Sequence, residues 1–550
     1  MKDMACSSVE TKTEKSERLK REKNPWEALE EIRSFARTGR STVPHEWAAI
    51  YFKWWGVYTQ SDGKGALGEV SPYFMHRVGL PNGFVTSKQL KVIGALAKQH
   101  ARNRVAITVR QSLQFHWVNL ESIPVILDAL LSVGLTSKGT SGDVLRGVTG
   151  CPLAGFLPSE LTDASPLVTE IARTFSANSE FYNLPRKLKV SVTGCPMWCS
   201  HPELNDLGLT AVKRGDEIGF SLRVGGGLAR SPHLAVRLNA FIRQSQVIDT
   251  VRAIMTLFRE QESLRQKREQ ARLRHLFLKQ GWTPEHFLSE VETILGYKLD
   301  PSVDEVIPET AQREHLGIHP QKQSGLDFVG VAVPGGELSG SQLLELARLA
   351  EYYGSGDIRF SVGQNLVIPN VLRSASYELA KALESIDLAV ESSPFRRGIV
   401  SCTGPIFCKM GIAETKLFSS QLIAELERRL PNFADSLKIN VTGCGNGCAH
   451  HHVSDIGLEG RKIKQDGKMI DGFSFRIGGA LGKEAGLART IGYQCPAEDV
   501  SPAIERLLRG YADAHREGED LHAFLARSTD EEVRRFLTGQ AQRSPAASTV

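Results

Sequence analysis

The sequence predicts an α+β protein of two homologous halves packed about a pseudo-two-fold axis, with a binding crevice between them. Three observations predict it. Blocks of sequence recur in the same order in both parts of the chain, short β-rich runs alternate with helical patterns inside each copy, and the chemistry-bearing residues are divided unequally between the copies.

The recurrence is direct. Residues 187–209 read KLKVSVTGCPMWCSHPELNDLGL, and residues 437–458 read LKINVTGCGNGCAHHHVSDIGL. This pairs Cys195 with Cys444, Cys199 with Cys448 and Asp206 with Asp455. A second shared block follows each: GFSLRVGGGLA from Gly219 and GFSFRIGGALG from Gly472. Upstream, Arg146-Gly147 precedes Cys151 as Arg397-Gly398 precedes Cys402, and TVRQSLQF from Thr108 matches SVGQNLVI from Ser361. Four collinear blocks define halves at roughly residues 60–245 and 325–515. Homologous halves that pack together enclose a crevice to which each contributes different residues.

In chain order, residues 1–50 read as a tail and helical extension, and 51–140 as the smaller domain of the first half. Residues 141–320 are its larger domain with a helical linker, 321–390 and 391–530 repeat the two domains, and 531–550 form a tail. Residues 1–25 are polar, mixed in charge and free of any apolar segment, which predicts a disordered tail and excludes a secretory signal. Strands are expected at 105–109 and 188–192, helices at 87–99 and 341–353, and a charged helical linker that includes 260–274. A G-x-G-x-x-G match at Gly63, Gly65 and Gly68 runs into a strand-like segment rather than a helix, so it reads as a loop and not a dinucleotide site.

With 550 residues, 41% hydrophobic and 23% charged, the chain can bury several cores. A net charge of +5 is too slight to argue for nucleic acid, though a local basic face could meet an acidic protein. No run of 18 apolar residues occurs, so no membrane span is expected, and the chain is placed in the cytoplasm.

Seven of the nine cysteines fall in short glycine-rich segments, with Cys6 and Cys495 apart. Such grouping reads as metal ligation rather than a disulfide framework. The second half holds Cys402 and Cys408 as C-x5-C, then Cys444 and Cys448 as C-x3-C about 35 residues on. Four thiolates from two loops can close a tetrahedral set, and Gly404, Gly443, Gly445 and Gly447 leave amides available to sulfur. The five-residue gap favours iron and sulfur over structural zinc, whose pairs are usually two to four residues apart. Zinc, or burial as small apolar residues, are the alternatives. The first half keeps Cys151, Cys195 and Cys199, but Leu157 stands where Cys408 would match. Three ligands are not four, and these read as relics of the duplication that bind no cluster.

The basic residues have the opposite bias. Arg77, Arg110, Arg146, Lys187 and Lys189 lie in the first half beside glycines or at strand-like spacing. Singly, each reads as a solvated charge. Alternation puts Lys187 and Lys189 on one face with Leu188 and Val190 on the other, and two adjacent ammonium groups repel unless an anion answers them. In the repeat, Gly363 replaces Arg110 and Ser436 replaces Lys187, while Lys438 matches Lys189.

The patterns SCTGPIFC with VTGCGNGC, TVRQSLQFHW and LPRKLKVSVTGC closely resemble the sirohaem-dependent sulfite and nitrite reductases, over roughly residues 51–527. The resemblance implies ferredoxin-like smaller domains, a 4Fe-4S cluster on Cys402, Cys408, Cys444 and Cys448, and a sirohaem bridged to the cluster by Cys448. It implies that Arg77, Arg146, Lys187 and Lys189 bind the oxyanion, and that Arg110 and His116 hold the macrocycle, whose carboxylates need cationic neighbours. Six-electron reduction of a small oxyanion follows, with lysine the proton donor because burial lowers its pKa. No flavin or nicotinamide site is evident, so a ferredoxin, or a separate flavoprotein, must donate electrons. This chain departs from the family where Gly445 replaces a common proline and where His450, His451 and His452 replace an arginine. The histidines read as cofactor-facing or surface groups rather than a metal site.

Sulfite is the expected substrate, because relatives that reduce it carry K-x-K at Lys187 and Lys189 where plant-type nitrite reductases carry K-x-N. The stretches Leu80-Pro81-Asn82-Gly83 and Asp455-Ile456-Gly457 resemble the nitrite branch, which keeps nitrite as the alternative. A cobalamin-biosynthetic relative of the precorrin-3B synthase type, and a non-enzymatic metal scaffold, are the remaining readings.

Overall fold

Two short strands cross between the halves. The computed structural model of the protein describes residues 10–67, 69–309 and 315–540, and its strands form four five-stranded sheets. In the first, Val57–Ser61, Val70–Val78, Leu113–Val118 and Arg104–Ile107 are completed by Glu337–Ser339 from the other half, pairing Glu337 with Ala106. In its counterpart, Gly317–Pro320, Leu326–Val331, Leu366–Leu372 and Asp357–Phe360 are completed by Phe84–Thr86, pairing Asp357 with Thr86. The exchange covers one edge of each sheet that would otherwise present unpaired backbone.

Each exchanged strand feeds a helix that starts in the same way. Thr86 caps Ser87–His100 through the Gln89 amide while the Gln89 side chain accepts from the Thr86 amide; Ser339 and Gln342 do the same for Gly340–Tyr353. The helices cross at two glycines. A Cβ on Gly94 would lie 2.9 Å from the Gly340 carbonyl, and one on Gly340 would lie 2.6 Å from the Gly94 carbonyl. One apolar core, with Phe52, Phe74 and Phe115 from the first half and Val331, Leu346 and Phe360 from the second, serves both smaller domains. The larger domains have separate cores, around Phe175, Phe220 and Phe258 in one and Phe395, Phe473 and Phe475 in the other.

Each larger domain runs three strands parallel before turning antiparallel. Thr149–Gly150, Val190–Thr193 and Leu207–Arg214 correspond to Ile399–Ser401, Ile439–Thr442 and Ile456–Gln465. Each of the three cysteine pairs, and the single Cys151, begins just past the carboxyl end of a parallel strand: Cys151 after Gly150, Cys195 after Thr193, Cys402 after Ser401 and Cys444 after Thr442. Crevices outside these strand ends are where such sheets take ligands. Asp206 and Asp455 play matching structural parts, accepting the backbone amides of Lys189 at 2.8 Å and Lys438 at 2.7 Å.

Four expectations need correction. Within the segment read as a disordered tail, Lys12–Glu22 is a helix with a complete capping box between Thr11 and Glu14. It is anchored by Lys20, fully buried, which bonds Glu17 at 2.6 Å and the Leu184 carbonyl at 3.0 Å. The segment read as a C-terminal tail likewise holds a capped helix, Asp530–Thr538, whose Val533 and Leu537 are buried in the second-half core, and residues 1–9 and 541–550 lie outside the described residues. The linker is not a continuous helix over 260–274: after the helix Val247–Glu260 it breaks into the 3-10 turns Glu262–Arg265 and Arg268–Gln270. Its arginines turn inward to buried carboxylates, Arg265 to Glu17, Arg268 to Asp143 and Arg272 to Asp206, instead of pairing along a helix face. The strand expected at 105–109 stops at Ile107, because Thr108 and Ser112 close a tight turn with Gln111 at φ 58°.

Asp143 is the centre of the first-half framework. Arg268 grips it with two bonds of 2.9 and 3.0 Å, Arg186 donates at 3.0 Å and Lys20 at 3.4 Å. Burial pushes its carboxyl up, but Arg268, Lys20 and Arg186 together hold it well below the usual carboxylate range. Asp143→Asn, which leaves buried cations without a counter-charge, should cost about 3–5 kcal/mol, read as a fall of several degrees in the thermal midpoint.

Candidate functional site

The four second-half thiols come from two adjacent strand ends. The Cys402 sulfur accepts the Gly443 amide at 3.2 Å, Cys408 accepts the Met410 amide at 3.4 Å, and Cys444 accepts the Asn446 side-chain amide at 3.4 Å. Of the glycines singled out in the sequence, Gly443 and Gly404 lend amides to the Cys402 sulfur, while Met410 and Asn446 serve Cys408 and Cys444. Burial, then the neighbouring Cys448, pushes Cys402 up to about 11 and Cys408 up to about 12. Cys448 itself is exposed. The four are set wide. Among the described residues, the one set of three or more Cys, His, Asp or Glu whose ligand atoms all lie within 4.8 Å of one another is Cys151, Cys195 and Cys199.

The first-half cations converge. Arg77 and Arg146 both donate Nη1 to the Thr140 carbonyl, each at 3.1 Å, and Arg146 Nη2 reaches the Tyr58 hydroxyl at 3.2 Å. With its amide oxygen turned toward Arg77, Gln114 accepts from Nη2 at 2.6 Å. Leu188 and Val190 are buried while Lys187 and Lys189 point the other way, half-buried. Burial, then Arg272, Lys189 and Arg146, hold Lys187 well below the usual lysine range. Burial, Arg110 and Arg272 push Lys189 down to about 7, against the opposing pull of Asp206 and Cys448.

Arg110 is spent partly on the protein, donating to Asn205 at 2.8 Å and to the Gly147 and Val190 carbonyls at 2.6 and 3.2 Å. Its Nε is buried without a partner. His116 is buried with neither ring nitrogen bonded, and its ring stacks at 3.9 Å on Phe407 of the cysteine loop.

The two groups therefore meet: the loop that carries Cys402 and Cys408 packs on His116, and Cys448 lies near enough to Lys189 to pull on its proton. The turn Gly65–Leu67, the glycine-rich loop of the sequence, closes one side, where the Ala66 amide donates to the Gly411 carbonyl at 3.0 Å.

Sequence reasoning missed several members. Tyr58 sits on an ordinary strand with no motif. Burial pushes its hydroxyl up, but Arg146 and Arg77 outweigh that and bring it down to about 7. Arg272 and Arg274 come from the linker, and Arg274 is buried with Nε and Nη1 unpartnered. Gln111 and Gln364 occupy matching places in the TVRQ and SVGQ blocks and tie the halves together: Gln111 donates to the Phe360 carbonyl at 2.9 Å, and Gln364 donates to that of Ile107 at 2.8 Å. Their recurrence was visible; their reach across the axis was not. The three histidines part company. His450 lies 5.9 Å from its counterpart His201 and beside Lys189 and Arg110, whereas His451 contacts Glu459 at 3.4 Å.

The residues fit the expected cofactors. Wide-set thiols with amide donors suit a cluster better than one ion, since zinc at about 2.3 Å per sulfur would draw tetrahedral thiolates to about 3.8 Å. Buried, unpartnered donors on Arg110, Arg274 and His116 suit a macrocycle rich in carboxylates. No described helix is long and apolar enough to cross a membrane.

Comparison with known proteins agrees with this geometry. The profile of the nitrite and sulphite reductase 4Fe-4S domain matches residues 141–299 and 392–543, and that of the nitrite/sulfite reductase ferredoxin-like half domain matches 69–133 and 319–386. The chain is 33% identical to the assimilatory ferredoxin-dependent nitrite reductase of Haloferax mediterranei, over 88% of this chain and 87% of that protein. It is 33% identical to sulfite reductase (ferredoxin) 2 of Mycolicibacterium paratuberculosis, over 94% and 96%, and 34% identical to the ferredoxin–nitrite reductase of Leptolyngbya laminosa, over 91% and 97%. The solved structure of the Mycobacterium tuberculosis NirA protein superposes with a TM-score of 0.90 at 31% identity, covering 94% of this chain and 97% of that one.

Proposed function

Because the chain belongs to the nitrite and sulphite reductase family, oxidoreductases that use sirohaem and a 4Fe-4S cluster, we propose that it reduces sulfite to sulfide with electrons from ferredoxin. The observation that carries the reading is the stacking of His116 on Phe407 at 3.9 Å, which joins the Cys402–Cys408 loop of one half to the first-half side that bears the cations, with Cys448 within electrostatic reach of Lys189. Cys402, Cys408, Cys444 and Cys448 would hold the cluster in this reading, with Cys448 also serving sirohaem, and Arg110, Arg274 and His116 would hold the macrocycle. When bound, the two cofactors supply an electron store and the centre at which the oxyanion is reduced.

The protein's part is electrostatic and protonic. Arg77 and Arg146, held side by side by the Thr140 carbonyl, bind two oxygens of the anion. Lys187 and Lys189 neutralise its remaining charge and give protons to the oxygens that leave as water. Lysines depressed by burial and by neighbouring cations, Arg272 and Lys189 for Lys187, and Arg110 and Arg272 for Lys189, donate more readily than solvated ones. Tyr58, bonded to Arg146, is placed to relay protons to the same oxygens.

Ferredoxin docks, in this reading, on the open groove of about 510 Å³ beside Cys444, where Arg230, Arg461 and Arg476 gather around Glu459. A basic rim next to a cluster ligand suits an acidic one-electron donor.

Nitrite is the second reading, favoured by the nitrite reductases among relatives of similar identity. Steady-state kcat/KM for both anions with reduced ferredoxin decides between them, and a clear preference for nitrite overturns the sulfite assignment. The cofactor roles carry their own expected result: a coloured protein with a haem-type band and about four acid-labile sulfides per chain. Zinc without iron would remove the assignment of the four thiols.

A further inference from the structure

The first-half cysteines read from the sequence as relics, yet they are the most tightly gathered thiols in the described chain. Their sulfurs lie within 4.8 Å of one another, with Cys151 and Cys199 4.0 Å apart. All three are buried, at 1–3% exposure. We propose that Cys151, Cys195 and Cys199 form a second metal site, a three-thiolate seat for one soft closed-shell ion, copper(I) or zinc.

The spacing excludes a cluster and fits a single ion. Metal–sulfur bonds of about 2.3 Å set three thiolates in a plane about 4.0 Å apart, and four in a tetrahedron about 3.8 Å apart. A four-iron cube interposes its own edges between ligands and holds them wider, as the second-half thiols are held. The fourth position is closed. Leu157 stands where the repeat has Cys408, and Leu153, Phe328 and Val367 pack with it around the sulfurs. A dry pocket with three thiols, in which the one further sulfur-bearing side chain packed against the cluster is Met197, favours a soft ion of low coordination number.

The surroundings suit the charge. Three thiolates exceed the charge of either ion, and two cations lie within electrostatic reach, Arg359 of Cys151 and Lys438 of Cys199. Arg359 is buried, with Nη1 on the Ala154 carbonyl at 2.8 Å and Nε unpartnered. Binding exchanges three thiol protons for the metal, with no change in oxidation state. The site is separate from the oxyanion centre, and the residues opposite it keep only part of the basic set, Lys438 and Arg397. Gly363, Val367 and Pro369 stand where Arg110, Gln114 and His116 stand across the axis.

Holoenzyme produced with added zinc or, separately, with added copper, and dialysed against a weak chelator, should retain about one atom of one of them per chain beyond its iron. The arm that loads identifies the ion. Absorption spectroscopy at that metal's edge should show about three sulfur neighbours at about 2.3 Å. In Cys199→Ala the extra metal should be lost while iron and acid-labile sulfide stay at the wild-type level. Wild type that retains neither metal, that holds it through nitrogen and oxygen neighbours, or that contains about eight sulfides overturns the proposal. The wild-type measurements decide it even where the variant folds poorly.

Discussion

Cys448→Ser should abolish oxyanion turnover, lowering kcat by at least about 10³-fold, the scale reached when one member of a catalytic unit is removed. Cys448 is the exposed thiol of its set and the one that the active-site lysine feels. In the proposed assignment its loss removes both a cluster ligand and the link between cluster and haem. Cys195→Ser, at the matching place in the first half, should leave iron content, acid-labile sulfide and turnover close to wild type, because Cys195 faces a separate apolar pocket. The check is iron, sulfide and single-turnover measurement on both variants in parallel. Equal loss of iron from the two would remove the asymmetry between halves on which the assignment of roles depends.

That asymmetry was legible in the sequence for a physical reason. A duplicated chain keeps its backbone blocks, so a residue that differs between copies has been released from, or recruited to, a chemical task. Arg110 against Gly363 and Cys408 against Leu157 each name such a place, and the structure puts the intact halves of the two sets together. What the sequence did not reveal depends on distant contacts. The exchanged strands, Phe84–Thr86 and Glu337–Ser339, are three residues long and carry no periodic signal. The helix at Lys12–Glu22 looked like solvated tail because most of its residues are polar, and only Asp143 and Glu17 show why Lys20 can be buried. Its capping box, Thr11 to Glu14, was there to be read and predicted a helix start. Arg272 and Arg274 looked like linker charge until the chain broke into 3-10 turns and turned them inward. Counting could show that Cys151, Cys195 and Cys199 lacked a fourth partner, but not that their sulfurs had closed up.

Lys189→Asn should reverse the substrate preference, lowering kcat/KM for sulfite by about 10²–10³-fold while changing that for nitrite by about tenfold or less. Sulfite carries up to two negative charges and sheds three oxygens, so a second ammonium both holds the anion and supplies protons; nitrite, with one charge and two oxygens, needs less. The structure supplies the means. Burial, Arg110 and Arg272 push Lys189 down to about 7, near the pH at which a donor is most effective, and the paired Lys187 lies beside it. The sign of the pH dependence follows. A lysine with a lowered pKa is charged below about 7 in the enzyme without substrate and loses its proton above it. Sulfite kcat/KM in the wild type should therefore fall as pH rises through that range, and the same limb should be missing in Lys189→Asn. Asparagine can still donate a hydrogen bond to the anion, so binding survives better than proton delivery, and the loss should appear in kcat more than in KM. A wild type that already prefers nitrite, with a variant that leaves the ratio and the pH profile unchanged, would show that neither the anion nor the residue had been assigned correctly.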